Sequence, residues 1–125
     1  SFQKYTMDKD CTIYKTTNFI GKRWTLLILL ELYRGKQKQK RYSQLKNNLP
    51  GITPKILSVR LKELEKEELI IKKIDTNIFP IKCEYSLTKS GEDFIKIIKD
   101  IKKWALRWKT KNTICRNADC RECIL

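Results

Sequence analysis

The stretch LPGITPKILSVRLKELEKEELI, residues 49–70, governs how the rest of the chain is read. Pro50 and Gly51 mark a turn. Thr53 then stands as a helix N-cap, and Pro54 at the first helical position loses nothing by lacking an N–H. A helix over 54–67 places Leu57, Leu61 and Leu64 on one face, with Ile56 at its margin. Lys55, Val59, Lys62 and Lys66 fall on the opposite face, with Ser58 at the edge. A capped amphipathic helix of this kind has one side for a core and one for a partner.

Upstream, Tyr42–Asn48 reads as a short helix with Leu45 and Leu49 as apolar contacts. KQKQKR (36–41) reads as a charged, solvated connection. Before it, WTLLILLELY (24–33) is apolar almost all round and stops at Gly35, a C-cap candidate, so it belongs at the centre of the core. CTIYKTTNFI (11–20) reads as a short helix contacting through Ile13, Tyr14, Phe19 and Ile20. Downstream, Leu69–Ile74 and Lys82–Leu87 are extended segments. DTNIFPI (75–81) between them is too long for a two-residue hairpin and suits a looped wing. Cys83, Tyr85 and Leu87 alternate inward. Thr88 or Ser90 caps a last helix near 91–109, with Phe94, Ile97, Ile98, Ile101, Trp104, Ala105 and Trp108 at spacings of three and four. The tail 110–125 shows no periodicity. The expected fold is mainly α with a small antiparallel β-hairpin, a winged helix-turn-helix over residues 9–109 followed by a basic, cysteine-containing tail.

The totals fit one domain of 125 residues, 41% hydrophobic and 34% charged. A net charge of +14 exceeds what solubility needs and points to a polyanionic partner, nucleic acid before an anionic membrane. The plainer explanation is a host that favours lysine. Ser1 to Asp10 lacks the apolar stretch of a secretory signal, and the run Leu26–Leu30 is too short to span a bilayer. A cytoplasmic protein with no membrane partner is therefore expected. There is no histidine, no phosphate-cradling motif among the four glycines, and no imidazole to activate a cysteine. No enzyme activity and no cofactor are expected.

Major-groove reading needs a protruding helix with polar side chains near its N-terminus. In helix 54–67, capped by Thr53, Lys55 can donate to guanine O6 or N7, or to phosphate, and Ser58 can do either. Val59 can meet a thymine methyl, or simply be an isolated exposed valine. Lys62 and Lys66 suit phosphates or plain solvated surface. Arg60 lies beside the apolar face and can reach phosphate or a carboxylate such as Glu63 or Glu67. Arg41 and Lys46 flank the preceding helix, Lys72 and Lys73 lead into the wing, and Thr76 and Asn77 in the wing can reach a minor groove or a phosphate. The expected function is sequence-specific binding of double-stranded DNA at a near-palindromic operator by a homodimer, repressing transcription by steric blocking. The competing class is a winged-helix module whose basic face meets RNA or a protein, with Val59 and Ile78 as contacts. An exposed apolar patch over the wing, in place of a basic saddle, favours that class.

The chain resembles the HxlR family of MarR-like winged-helix regulators. The resemblance runs through Cys11 ahead of IGKRWTLLILLEL (20–32), RYSQLKNNLPGITPKILSVRLKELEKEELI (41–70), EYSLTKSG (84–91) and Trp104, and covers about residues 9–108. It implies a dimeric DNA-binding regulator whose first and last helices form much of the interface, with Ile13, Phe19, Ile101, Trp104 and Trp108 as candidates. It also implies a role for Cys11, which stands where some relatives carry a sensor of oxidants or electrophiles. The chain departs from the pattern at Thr12, where Pro is frequent, in the longer basic connection 36–41, and in the tail's CRNADCREC (115–123).

Five cysteines make a poor disulfide framework. Cys83 reads as a small buried hydrophobe. For Cys11, Cys115, Cys120 and Cys123 three readings stand open. They are a thiol switch activated by Arg116, Arg121 or nearby lysines, a disulfide fastening the tail, and a soft-metal site in which Cys11 completes the tail's three thiols. A fourth is no special role at all.

Overall fold

The computed structural model describes residues 6–125. The first five residues of the polar start lie outside them. The elements run α1 (Thr12–Ile20), α2 (Arg23–Tyr33), β1 (Gln39–Arg41), α3 (Tyr42–Asn48), α4 (Pro54–Lys66), β2 (Ile70–Asp75), β3 (Lys82–Leu87), α5 (Lys89–Trp108) and α6 (Thr113–Asn117). The core forms where one face of each helix meets the sheet. Ile28, Leu29 and Leu32 of α2 meet Leu45 of α3, Leu57, Leu61 and Leu64 of α4, Ile70 and Tyr85 of the sheet, and Ile95 and Ile98 of α5. The near-uniform apolarity of α2 reflects its central place. This is a mainly α fold carrying a small antiparallel sheet, a winged helix-turn-helix.

The connection 36–41 departs from expectation. Gln39–Arg41 is a strand, and the sheet has three strands in the order β1-β3-β2, all antiparallel. Pairing Lys40 with Tyr85 turns the lysine inward, where it is buried. Its ammonium donates to the carbonyl of Glu31 and to that of Arg34 (2.6 Å), and lies 3.4 Å from the Glu31 carboxylate, itself buried. The charge thus caps carbonyls that the end of α2 leaves without helical partners. Charge composition says "solvent" for this segment; strand register overrides it at one residue.

Two glycines carry steric requirements. Gly51 has φ +88 in the turn before α4, following Pro50, and Ile52 N–H donates to Leu49 O (3.2 Å). Pro then Gly at the centre of such a turn supplies the positive φ that other residues resist. Gly91 sits in the first turn of α5, where a Cβ would stand 2.1 Å from the Leu69 carbonyl oxygen and 3.1 Å from Leu87 Cδ2. The obstacle is backbone, which cannot swing aside. Gly91→Ala is expected to destabilise the fold by about 1–3 kcal/mol, seen as a lowered denaturation midpoint. An unchanged midpoint overturns the packing argument.

The tail is not loose. Gly35, φ +78 after α2, donates its N–H to Arg121 O (2.7 Å). Tyr33 donates to Asp119 Oδ2 (2.9 Å), and Lys99 donates to Tyr33 Oη (2.8 Å) and pairs with Asp119 (2.7 Å). Arg121 lies over the Tyr33 ring (4.5 Å to its centroid). The Lys99 contact, then the Arg121 N–H, hold the Asp119 carboxyl down at about 2; the hydrogen bonds that Lys99 donates to Asp119 and Tyr33 push its ammonium up. A lowered carboxylate pKa stabilises the docked state above the ordinary value near 4, and that contribution disappears as pH falls through about 2. The raised Lys99 contributes fully below its ordinary value and loses its share only at higher pH. The tail is therefore expected to loosen between about pH 4 and pH 2, ahead of the core. Amide exchange of residues 113–123 measures this. Tail and core amides losing protection together overturns it.

Candidate nucleic-acid interface

α4 is built to protrude. Thr53 Oγ1 accepts from the Ile56 N–H (3.2 Å), as expected of the cap, and Pro54 occupies the first turn. Leu57, Leu61 and Leu64 are buried, whereas Lys55, Val59, Lys62 and Lys66 are exposed together on the opposite side. Two contacts hold this helix in place. Tyr42 at the start of α3 donates its hydroxyl to Pro54 O (3.0 Å). Glu63 accepts from Lys22 (2.9 Å), just before α2, and from Arg60 (2.9 Å). Net positive charge is thereby carried on a braced helix.

The residues singled out above divide into groups. Lys55, Val59 and Lys62 share the outward face of α4 with Lys66. Ser58, at its edge, donates to Tyr42 Oη (3.4 Å), so it also serves the contact between α3 and α4. Arg60 turns to the flank, mostly buried, its guanidinium on Glu63 (2.9 Å). Arg41 is exposed and Lys46 half-buried on α3; Lys72, Lys73, Thr76 and Asn77 are exposed along the wing. Lys72 lies 5.9 Å from the centroid of the Tyr85 ring. Burial, with Cys83 beside it, pushes the Tyr85 hydroxyl up to about 12. Asn77 N–H donates to Asp75 Oδ1 (3.0 Å), tightening the turn at the wing's base. Beyond it the wing exposes Ile74, Ile78, Phe79 and Ile81, with Phe79 96% exposed. Phe79 escaped the sequence reading because nothing in periodicity marks a loop residue as uncovered.

A braced, basic-faced second helix, a preceding short helix and an adjacent wing match one established family. The family model of the HxlR-like helix-turn-helix covers residues 19–113. The chain belongs to the HxlR family. It is a sequence-specific DNA-binding transcription regulator of that family. The HxlR chain is 37% identical over 94 residues, 75% of its length and 83% of the relative's, to YvaP of Bacillus subtilis, described as an uncharacterized HTH-type transcriptional regulator. Its structure is similar to the reduced form of the transcriptional regulator YodB from B. subtilis, with TM-score 0.69 and 28% identity, covering 82% of this chain and 97% of that one. YodB has also been solved diamide-treated and quinone-bound. The redox regulator HypR in its oxidized form matches with TM-score 0.67 and 27% identity over 80% of this chain and 99% of that one.

The candidate interface residues lie on two helices. Ile101, Trp104 and Trp108 stand with Ile97 in a line along α5, each 46–66% exposed, and Ile13 is exposed on α1. Phe19 packs partly against the core. All five cysteines are unpaired and partly buried. Arg116 donates to Leu106 O (3.1 Å), and Arg121 stacks on Tyr33, so both guanidinium groups are engaged in docking the tail. Among the described residues no three Cys, His, Asp or Glu side chains converge as a metal-binding group, and no helix is long and apolar enough to cross a membrane.

Proposed function

We propose that the chain is a homodimeric repressor of a near-palindromic operator, with α4 in the major groove and the wing beside the adjacent backbone. The observation that carries this is the lysine face of α4, held outward by Tyr42 and Glu63. Lys55, nearest the helix start, reads bases; Lys62, Lys66, Arg41, Lys72 and Lys73 hold phosphates. Twofold pairing places two recognition helices about 34–36 Å apart, one turn of duplex. Footprinting on genomic fragments tests this reading: a protected region with inverted half-sites is expected, and uniform sliding protection overturns it.

The exposed line Ile97–Ile101–Trp104–Trp108 supports pairing through α5, joined by Ile13 of α1. Buried tryptophans each cover roughly 150–250 Å² and supply the apolar centre that a stable interface needs. Trp104→Glu with Trp108→Glu is expected to convert the dimer to a monomer at micromolar concentration in sedimentation. A double variant that remains dimeric removes α5 from the interface.

Thiol control of DNA binding is the regulatory reading, supported by Cys11 at the start of α1, three thiols in the tail, and similarity to regulators solved in reduced and oxidized forms. DNA titration before and after mild oxidation, with free thiols counted, tests it. Equal affinities with thiols consumed overturn it. The apolar wing tip around Phe79 favours a second reading, a protein partner docked on the wing. Phe79→Ser separates the two: operator affinity is unaffected if the tip serves only a protein.

A further inference from the structure

Outside the DNA face, positive charge gathers in a cleft of about 500 Å³ between the second half of α5 and the docked tail. Lys99, Lys102, Lys103, Arg107 and Arg116 line it against a single carboxylate, Asp119. Three of the cations build its walls. Lys99 pairs with Asp119, Lys102 donates to Ala118 O (2.7 Å), and Arg116 donates to Leu106 O. Lys103 and Arg107 remain, Arg107 with its guanidinium over the Trp108 ring (5.2 Å to its centroid). One helical turn apart, they repel each other, and among the described residues neither has a carboxylate within ion-pair distance.

We propose that this cleft binds a small, multiply charged anion, a phosphorylated or polycarboxylated metabolite. Its volume lies within the range of about 300–1,000 Å³ typical of small-molecule sites. Arg107 offers the planar fork that takes two oxyanion oxygens at once, and Lys103 adds a point charge beside it. Leu106 and Ala118 supply an apolar floor for a carbon skeleton. Leu106, on the cleft side of α5, lies about half a turn from the Trp104–Trp108 line, whereas Arg107 stands at the edge of that line, over the Trp108 ring, so the cleft borders the pairing face. One wall belongs to residues 116–119, beyond the part of the chain that the family model covers. The site is therefore a feature of this chain, separate from the helix-turn-helix.

Titration calorimetry of the full chain with inorganic pyrophosphate and with citrate, at constant ionic strength set by chloride, tests the proposal without DNA. Saturable binding at one anion per chain is expected. Lys103→Gln with Arg107→Gln is expected to weaken it at least about tenfold. Lys9→Gln with Lys89→Gln, the same charge loss at exposed positions elsewhere, is expected to leave it unchanged. Lys103→Arg with Arg107→Lys should retain binding, which guards against a misfolded double variant. Preference for pyrophosphate or for citrate distinguishes a phosphorylated from a polycarboxylated ligand. No saturable heat with either probe, or equal loss in the Lys9 and Lys89 variant, overturns the site. Failure of DNA binding leaves this test untouched.

Discussion

Reversing the charge of Lys55, Lys62 and Lys66 together is expected to cut affinity for any duplex by at least about 100-fold. Each phosphate contact contributes about 0.9 to the slope of log affinity against log salt, and three reversals replace attraction with repulsion on the one helix braced to enter a groove. Single substitutions separate the roles. Lys55→Ala is expected to cost about 1–3 kcal/mol at the operator and less on scrambled duplex, because base contacts discriminate and phosphate contacts do not. Lys72→Ala is expected to weaken all duplexes alike and reduce the salt slope by about one. Arg60→Ala acts differently: its guanidinium lies on Glu63, so its loss should first appear as lowered stability. Fluorescence anisotropy with operator and scrambled duplexes at several salt concentrations measures all of these. If the triple reversal leaves duplex affinity unchanged, α4 is not the reading helix.

The second large effect concerns stability. Lys40→Ala is expected to cost about 3–5 kcal/mol, because it leaves the buried Glu31 carboxylate uncompensated and removes the cation from the end of α2. Glu31→Gln alone should cost less, since Lys40 keeps its carbonyl acceptors at Glu31 and Arg34. Lys40→Met with Glu31→Gln should recover much of the loss, because neither charge then remains buried. Urea denaturation of the parent chain, Lys40→Met, Glu31→Gln and the double variant closes the cycle. Additive single effects would falsify the coupling. The pair also has a positional consequence: it fastens β1 to α2 directly ahead of α3, so its loss should loosen the helix-turn-helix before the α5 end of the molecule.

What local pattern determines here is most of the architecture and the outline of the DNA face. The caps at Thr53 and Thr88, the Pro50–Gly51 turn, and the leucine spacing of α4 act within a few residues. Their physics is fully present in a short window, so α3, α4, the two wing strands and α5 were legible together with the opposition of leucines and lysines on α4. Composition added the basic charge, and the matched segments added the family. What local pattern could not determine depends on partners distant in sequence. Lys40 is buried because β1 pairs with β3, more than forty residues away. Ser58 is drawn toward Tyr42, sixteen residues away, which changes what it can offer to DNA. The tail docks through Asp119 on Tyr33 and Arg121 on Gly35, contacts that span 86 residues of chain and leave no periodic trace. Exposure of Phe79 is likewise a property of the whole surface. Periodicity reports which face of one element avoids water; which side chain meets which requires the elements to be packed, because charge pairing and burial act through space and not along the chain.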